Sequence, residues 1–276
     1  GMDILIYGNI PNASGLSSSA SIEVLTAYIA RDLYKISVDM IDIARLCQYA
    51  ENEYIGVKCG IMDQFSIAMG KKDHAIFLDT NTLEYEYAPI NLLDAKIVIA
   101  NTNKKRGLSD SKYNERREEC NKALELLKTV VDIESLGELN QEEFDKYKAI
   151  INDDILIKRA KHAVSENIRT INGVQALEDN DLDTFGQLMN QSHISLHDDY
   201  DVTGIELDTL VEAAWKQDGV IGSRMTGAGF GGCTVSIVKS QYIDKFVEKV
   251  GEFYYNKIGY KADFYIVEIG DGPSKL

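Results

Sequence analysis

Pro11-Asn12-Ala13-Ser14-Gly15-Leu16-Ser17-Ser18-Ser19-Ala20 is the most informative stretch of this sequence. A β-rich run, Asp3 to Tyr7, precedes it and is predicted to be a strand. After it, Ile22, Leu25, Ile29 and Leu33 recur at three- and four-residue spacing, which predicts a helix with Ser18 or Ser19 as its N-cap. A glycine- and serine-rich loop running straight into a helix is suited to anions. Its exposed amides and the positive end of the helix dipole point the same way. Gly15 lets the backbone approach a phosphate closely, and the serines add hydroxyl donors without bulk. It is not a Walker loop, because GxxxxGK[ST] requires a lysine that is missing here. The same residues also read as a serine-capped helix after an ordinary turn, and the loop alone leaves both readings open.

Outward from this loop, helices are predicted over 40–54, with Ile43, Leu46, Cys47 and Ala50 facing inward, and over 61–69. A hairpin is expected from 75–78 and 83–87 around a turn at 79–82. Residues 96–100 read as a buried strand, and 89–94 as the crossing between two domains, 1–93 and 94–276. Further helices are expected over 115–128, 155–177, 182–193, 204–217 and 242–258, with strands over 234–238 and 263–269. Helices interleaved with short strands make this an α+β protein, with two layers per domain.

The chain has 276 residues, 45% of them hydrophobic, which suffices for sizeable cores and disfavours disorder. Lys and Arg total 29 against 44 Asp and Glu, a formal charge of −15. A nucleic-acid partner is not expected, because phosphate binding needs a basic face. No apolar run approaches the roughly 20 residues that cross a bilayer, so no membrane association is expected either. The four cysteines (47, 59, 120, 233) are scattered, without a CxxC pair, and read as reduced, mostly buried thiols of a cytoplasmic protein. His193 and His197 stand at i, i+4, but the residues between them supply no HExxH glutamate, which favours local hydrogen bonding over a zinc site.

Two further segments bear on chemistry. Glu51 near the end of the second predicted helix and Asp63 after it flank one glycine-containing turn, Gly56-Val57-Lys58-Cys59-Gly60-Ile61-Met62. Carboxylates converging on a phosphate loop suit two tasks, holding Mg²⁺ beside substrate phosphates and deprotonating an attacking hydroxyl. Among 44 acids, two solvated surface carboxylates are the plain alternative. The segment Arg224-Met225-Thr226-Gly227-Ala228-Gly229-Phe230-Gly231-Gly232-Cys233 is a second glycine-rich loop leading into a strand. It fits close backbone approach to a ligand, or a tight turn into a buried strand.

Taken together, these segments resemble the GHMP small-molecule kinases, and within them the galactokinase family. PNASGLSSSA (11–20) is similar to that family's nucleotide-phosphate loop, AENEYIGVKCGIMDQF (50–65) to its active-site segment, and TGAGFGGC (226–233) to its third motif. SHISLHDDYDVT (192–203) and NTNKKRGLSDSKYNERREEC (101–120) also resemble stretches of that family, so the likeness runs from about residue 3 to the end. The resemblance implies a two-domain fold: part of a ribosomal protein S5 domain 2-like domain, then a ferredoxin-like one. It implies transfer of the ATP γ-phosphoryl group to the anomeric hydroxyl of galactose, with Mg²⁺. ATP phosphates would be held by Pro11, Gly15, Leu16, Ser17, Ser18, Ser19 and Ala20, and the metal by Ser18 and Glu51. Asp63 would be the base, Gly60, Asp63 and Tyr113 would contact the sugar, and Gly227, Gly229 and Gly231 would line the active site. The GRVNLIGEHTDY-like segment with which that family begins has no counterpart here, so a first domain without its opening is expected. With it go an active-site arginine and part of the adenine pocket. The alternative is a catalytically impaired relative that binds nucleotide or sugar. The expected state is a monomer or weak homodimer, since pairing between copies is one way to cover exposed sheet edges.

Overall fold

The computed structural model of the chain describes residues 1–8, 10, 16–56, 59–104 and 109–275, with only the backbone at 109–111. In chain order the helices are α1 (Ser18–Tyr34), α2 (Met40–Tyr49), α3 (Met62–Met69), α4 (Ser109–Leu127), α5 (Gln141–Tyr147), α6 (Asp154–Glu178), α7 (Leu182–Ser195), α8 (Gly204–Trp215) and α9 (Ile243–Ile258). The strands are β1 (His74–Leu78), β2 (Tyr85–Pro89), β3 (Ala95–Asn101), β4 (Val220–Thr226), β5 (Cys233–Lys239) and β6 (Asp263–Val267). Aspartates start several helices by accepting orphan amides: Asp39 from Asp42 N–H, Asp153 from Ile155 and Leu156, and Asp181 from Thr184. Asn140 and Glu143 form a capping box on α5.

The first part packs α1, α2 and α3 against the antiparallel β1–β2 hairpin around Val24, Ile43, Ala44, Cys47, Phe65 and Ala68. Residues 3–7 form no strand; Leu5 is 98% and Tyr7 94% exposed. β propensity needs a partner ladder to act, and the described residues offer this segment none. On α2 the inner stripe is Ile43, Ala44 and Cys47, while Leu46 points outward at 59% exposure. The second predicted helix is also not uniform, because residues Ala50–Ile55 widen into a π-turn. Gly56, with φ 85°, closes it by donating its N–H to the Glu51 carbonyl.

Four antiparallel strands in the order β4-β5-β3-β6 form the second sheet. Connectivity and order are those of a split β-α-β-β-α-β unit, the ferredoxin-like pattern, with α4 to α8 filling the first crossover. Val98, Ala100 and Val238 face α8 and α9, burying Leu210, Phe246, Val250 and Tyr254 between them. On the opposite face Ala95 and Ile237 meet Met189 of α7. α7 presses so close to β4 that a Cβ on Gly186 would sit 2.2 Å from the Ile221 carbonyl oxygen. β4 itself was not expected from the sequence, where its second half read as loop. The chain end returns to the first part: Asp271 accepts from Lys72 N–H at 2.8 Å, and Gly272 N–H donates to the Gly70 carbonyl at 2.8 Å. No helix among the described residues is long and apolar enough to cross a membrane.

Candidate active site

α1 begins at Ser18, one residue after Ser17, which is the N-cap in a left-handed conformation (φ 54°) and makes no side-chain cap bond. This corrects the expectation of Ser18 or Ser19 as cap. Ser17 and Ser18 are half-buried, Ser19 is exposed and Ala20 is packed into the core. The first turn carries no acidic residue, so its positive end faces no fixed carboxylate of its own, the electrostatic setting an anion requires. Pro11 and Gly15 lie outside the described residues.

The π-turn changes which way its residues face. One extra residue in the turn rotates Glu51 inward, leaving it only 8% exposed. The segment after it is tied back to the same turn: Gln48 Nε2 donates to the Cys59 carbonyl at 3.3 Å, and the Cys59 thiol donates to Asn52 Oδ1 at 3.4 Å. Burial, then the Glu51 charge, raises the Cys59 thiol above its usual range, so it stays protonated. Gly60 follows, and then α3 with Asp63 in its first turn. A Cβ placed on Gly60 would lie 4.0 Å from the Tyr113 hydroxyl of α4. Gly60 and Tyr113 thus meet, and Glu51 and Asp63 both lie close enough to the Cys59 thiol to raise it.

Sequence reasoning missed two members of this cluster. Glu23, on α1, faces Glu51, and burial followed by the Glu51 charge pushes its carboxyl up to about 7. Gln64, next to Asp63, is 2% exposed and donates Nε2 toward the Cys59 sulfur at 3.9 Å. The signal for Glu23 was its place four residues after Ser19, hence on the same helix face. Among 44 acids it was not singled out.

The second glycine-rich loop joins β4 to β5. Residues 227–232 interact with Thr102, Lys104, Lys112 and Val202, and Phe230 also packs on Leu196, Leu207 and Met225. Phe230 N–H donates to the Val202 carbonyl at 2.7 Å, and Gly232 O accepts from Thr102 N–H and Oγ1, both at 2.9 Å. Gly227 (φ 78°) and Gly229 (φ 83°) occupy left-handed backbone, and a Cβ on Gly229 would meet the Val202 carbonyl oxygen at 2.2 Å. A Cβ on Gly231 would lie 3.2 Å from the Lys104 stem. α4 spans the two regions, because Lys112 sits over the Phe230 ring at 5.4 Å while Tyr113 reaches Gly60. His193 is buried and His197 exposed, and both rings are held by residues distant in sequence. His193 Nδ1 accepts from Met225 N–H at 3.2 Å, and the Nε2 atoms of both rings approach Asp208, at 3.3 and 3.5 Å. None of the four cysteines is in a disulfide.

The split β-α-β-β-α-β sheet, the three-helix first part and the helix-start loop define a GHMP kinase, and two domains of that class match directly. The GHMP kinases N-terminal domain covers residues 1–71 and the GHMP kinases C-terminal domain covers 174–256. The galactokinase of Clostridium acetobutylicum is 63% identical and that of Clostridium beijerinckii 64%, each over all of this chain and 71% of the relative. The crystal structure of Lactococcus lactis galactokinase complexed with galactose superposes with a TM-score of 0.95 at 52% identity, covering 98% of this chain and 69% of that one. The chain belongs to the galactokinase family. It spans about 71% of the length of these Clostridium relatives.

Proposed function

We propose that this chain transfers the γ-phosphoryl group of ATP to the anomeric hydroxyl of galactose, giving galactose 1-phosphate. The observation that carries the reading is the tie between residues 59 and 48–52, which gathers a buried acid, a helix-start acid, a bare glycine and a tyrosine hydroxyl. In this reading Tyr113 donates to the sugar and Gly60 lets the sugar lie against the backbone. Asp63 orients the anomeric hydroxyl and accepts its proton as the oxygen attacks phosphorus. The amides of residues 16–20 and the hydroxyls of Ser17, Ser18 and Ser19 hold the phosphates against the α1 terminus. Pro11 and Gly15 would complete that cradle, with Gly227, Gly229 and Gly231 shaping its far side.

Mg²⁺ suits the residues present. Glu51 is a buried carboxylate, and oxygens of Glu23 and Gln64 beside it are buried without a hydrogen-bond partner. No cluster of three or more His, Cys, Asp or Glu side chains forms a closed cage among the described residues. Mg²⁺ as a class takes one or two carboxylates and completes its shell with water and phosphate. Glu51 and Ser18 would hold it, and when bound it supplies neutralising charge to the phosphates. Positioning and electrostatics suffice for phosphoryl transfer, and no covalent protein intermediate is invoked.

The test is a coupled ADP-release assay with galactose, talose, N-acetylgalactosamine and mevalonate, on the unaltered chain and on Asp63→Asn. Turnover with galactose, lost by at least a hundredfold in Asp63→Asn with nucleotide affinity retained, is expected. Full activity in the variant overturns Asp63 as base. Nucleotide binding without turnover in the unaltered chain overturns the enzyme reading and favours the impaired relative.

A further inference from the structure

Three elements bring oxygen-bearing side chains to one buried point: Glu23 from α1, Glu51 from the π-turn and Gln64 from α3. The sequence neighbours of Glu23 and Gln64, Val24 and Phe65, lie in the core at 0% and 1% exposure, so neither α1 nor α3 is free to swing away. Glu51 is 8% and Gln64 2% exposed, and two of the oxygens at this point, Glu23 Oε2 and Gln64 Oε1, are buried without a partner. Leaving such atoms unpaired costs about 1–3 kcal/mol each, more where charge is involved. Two facing carboxylates add mutual repulsion, which burial strengthens. The polar neighbours relieve this only in part: the Gln64 side chain hydrogen-bonds the Glu23 carboxyl, and Glu23 and Glu51 share a hydrogen bond. Gln64 Nε2 is directed to the Cys59 sulfur, and the Cys59 thiol hydrogen goes to Asn52. A cluster with acceptor oxygens in surplus and few donors suits a cation. Because every ligand atom on offer is oxygen, the fitting class is a hard divalent ion rather than zinc or copper.

We propose that Glu23 supplies the second carboxylate of the divalent-cation site, beside the buried Gln64 amide. α1 then serves the reaction twice, its first turn toward the phosphates and its second turn toward the cation that accompanies them. This inference rests on the assignment of Glu51 to the cation in the proposed function. It differs from a purely structural carboxyl pair, which would hold α1 to the π-turn through a shared hydrogen bond and be indifferent to metal.

The experiment uses Mn²⁺ as the probe, titrated into the full chain with and without a non-hydrolysable ATP analogue. Bound ion is counted from the loss of the free-ion electron paramagnetic resonance signal. Glu23→Gln keeps the shape and a hydrogen-bonding amide but removes the charge, and Glu51→Gln is run beside it. Both are expected to weaken Mn²⁺ binding at least tenfold, while the metal-free thermal midpoint of Glu23→Gln is not lowered. Unchanged affinity in Glu23→Gln with loss in Glu51→Gln overturns the inference and leaves the proposed function standing. Unchanged affinity in both, or no Mn²⁺ binding by the unaltered chain beyond that of free nucleotide, overturns both. Should Glu23→Gln not fold, Gln64→Met carries the test: a several-fold loss of Mn²⁺ affinity supports the inference, and unchanged affinity overturns it.

Discussion

His162 makes the stability of this protein sensitive to mild acid, and the sign and size of the effect follow from its surroundings. It lies on α6, 7% exposed, stacked on Tyr200 with ring centroids 4.5 Å apart. Its Nδ1 is 3.0 Å from Ser195 Oγ, and that hydroxyl is 3.2 Å from Asp199 Oδ2. The Ser195 hydroxyl has one hydrogen to give, and the carboxylate takes it, so the neutral imidazole carries its proton on Nδ1 and donates to Ser195. Burial moves the ring from the usual 6.5 down to about 4; Arg169 and Arg224 push the same way, while Glu166 and Asp199 oppose them. Between pH 6.5 and about 4 the unfolded chain therefore binds a proton that the folded chain refuses. Stability falls as pH drops through that window and levels off below it. At 1.36 kcal/mol per pH unit the loss is about 3 kcal/mol. Glu23 and His197, raised in the folded protein, contribute with the opposite sign, so the comparison must be differential. His162→Phe retains the stack on Tyr200 and cannot be protonated. Urea unfolding followed by circular dichroism at pH 7.5, 6.5, 5.5 and 4.5 should show the parent losing about 3 kcal/mol relative to the variant. Parallel curves for the two proteins would refute the reasoning.

Two other perturbations test the packing that carries the site. Gly186→Ala places a methyl group 2.2 Å from the backbone oxygen of Ile221, which no rotamer relieves. The cost should exceed about 3 kcal/mol, the upper end of ordinary overpacking, and lower the thermal midpoint by roughly 6–12 °C; a drop below 2 °C would mean that α7 and β4 separate easily. Arg159 is 6% exposed and donates to Glu119 Oε2 at 2.8 Å and the Asp199 carbonyl at 2.7 Å. Arg159→Met should cost on the order of 3 kcal/mol, moderated because Arg116 still pairs with Glu119 at 3.0 Å. It should also speed hydrogen exchange at the Phe230 amide, whose acceptor is Val202 just beyond the clamped corner. Unchanged protection there would disconnect the arginine network from the glycine-rich loop.

Legibility followed the range of the interaction involved. Helix spacing after Ser17, the hairpin around 79–82 and the strand at 96–100 are local patterns, and each formed where periodicity put it. Segments whose conformation depends on distant partners were not legible. Residues 3–7 carry β propensity without a partner strand. β4 was masked by its own composition, since Gly222 and Ser223 look like turn residues until α7 presses Gly186 against them. Leu46 and Ala44 exchanged places for a similar reason, because an apolar spacing does not say which edge of the stripe meets a neighbour.

By itself the sequence determined the ordered motifs, the helix-start loop, the candidates Glu51, Asp63 and Tyr113, and through them the family. These are properties of residue type and spacing, which survive without coordinates. Only tertiary structure decided that Ala50–Ile55 is a π-turn that swings Glu51 inward, and that Glu23 and Gln64 face it from two other helices. It also decided that the 227–232 loop rests on residues 102–104 and the corner at 202–203. The physical reason is that charge repulsion, burial and unpaired oxygens are relations between side chains far apart in sequence. A carboxylate looks the same in the chain whether it ends in water or against another carboxylate.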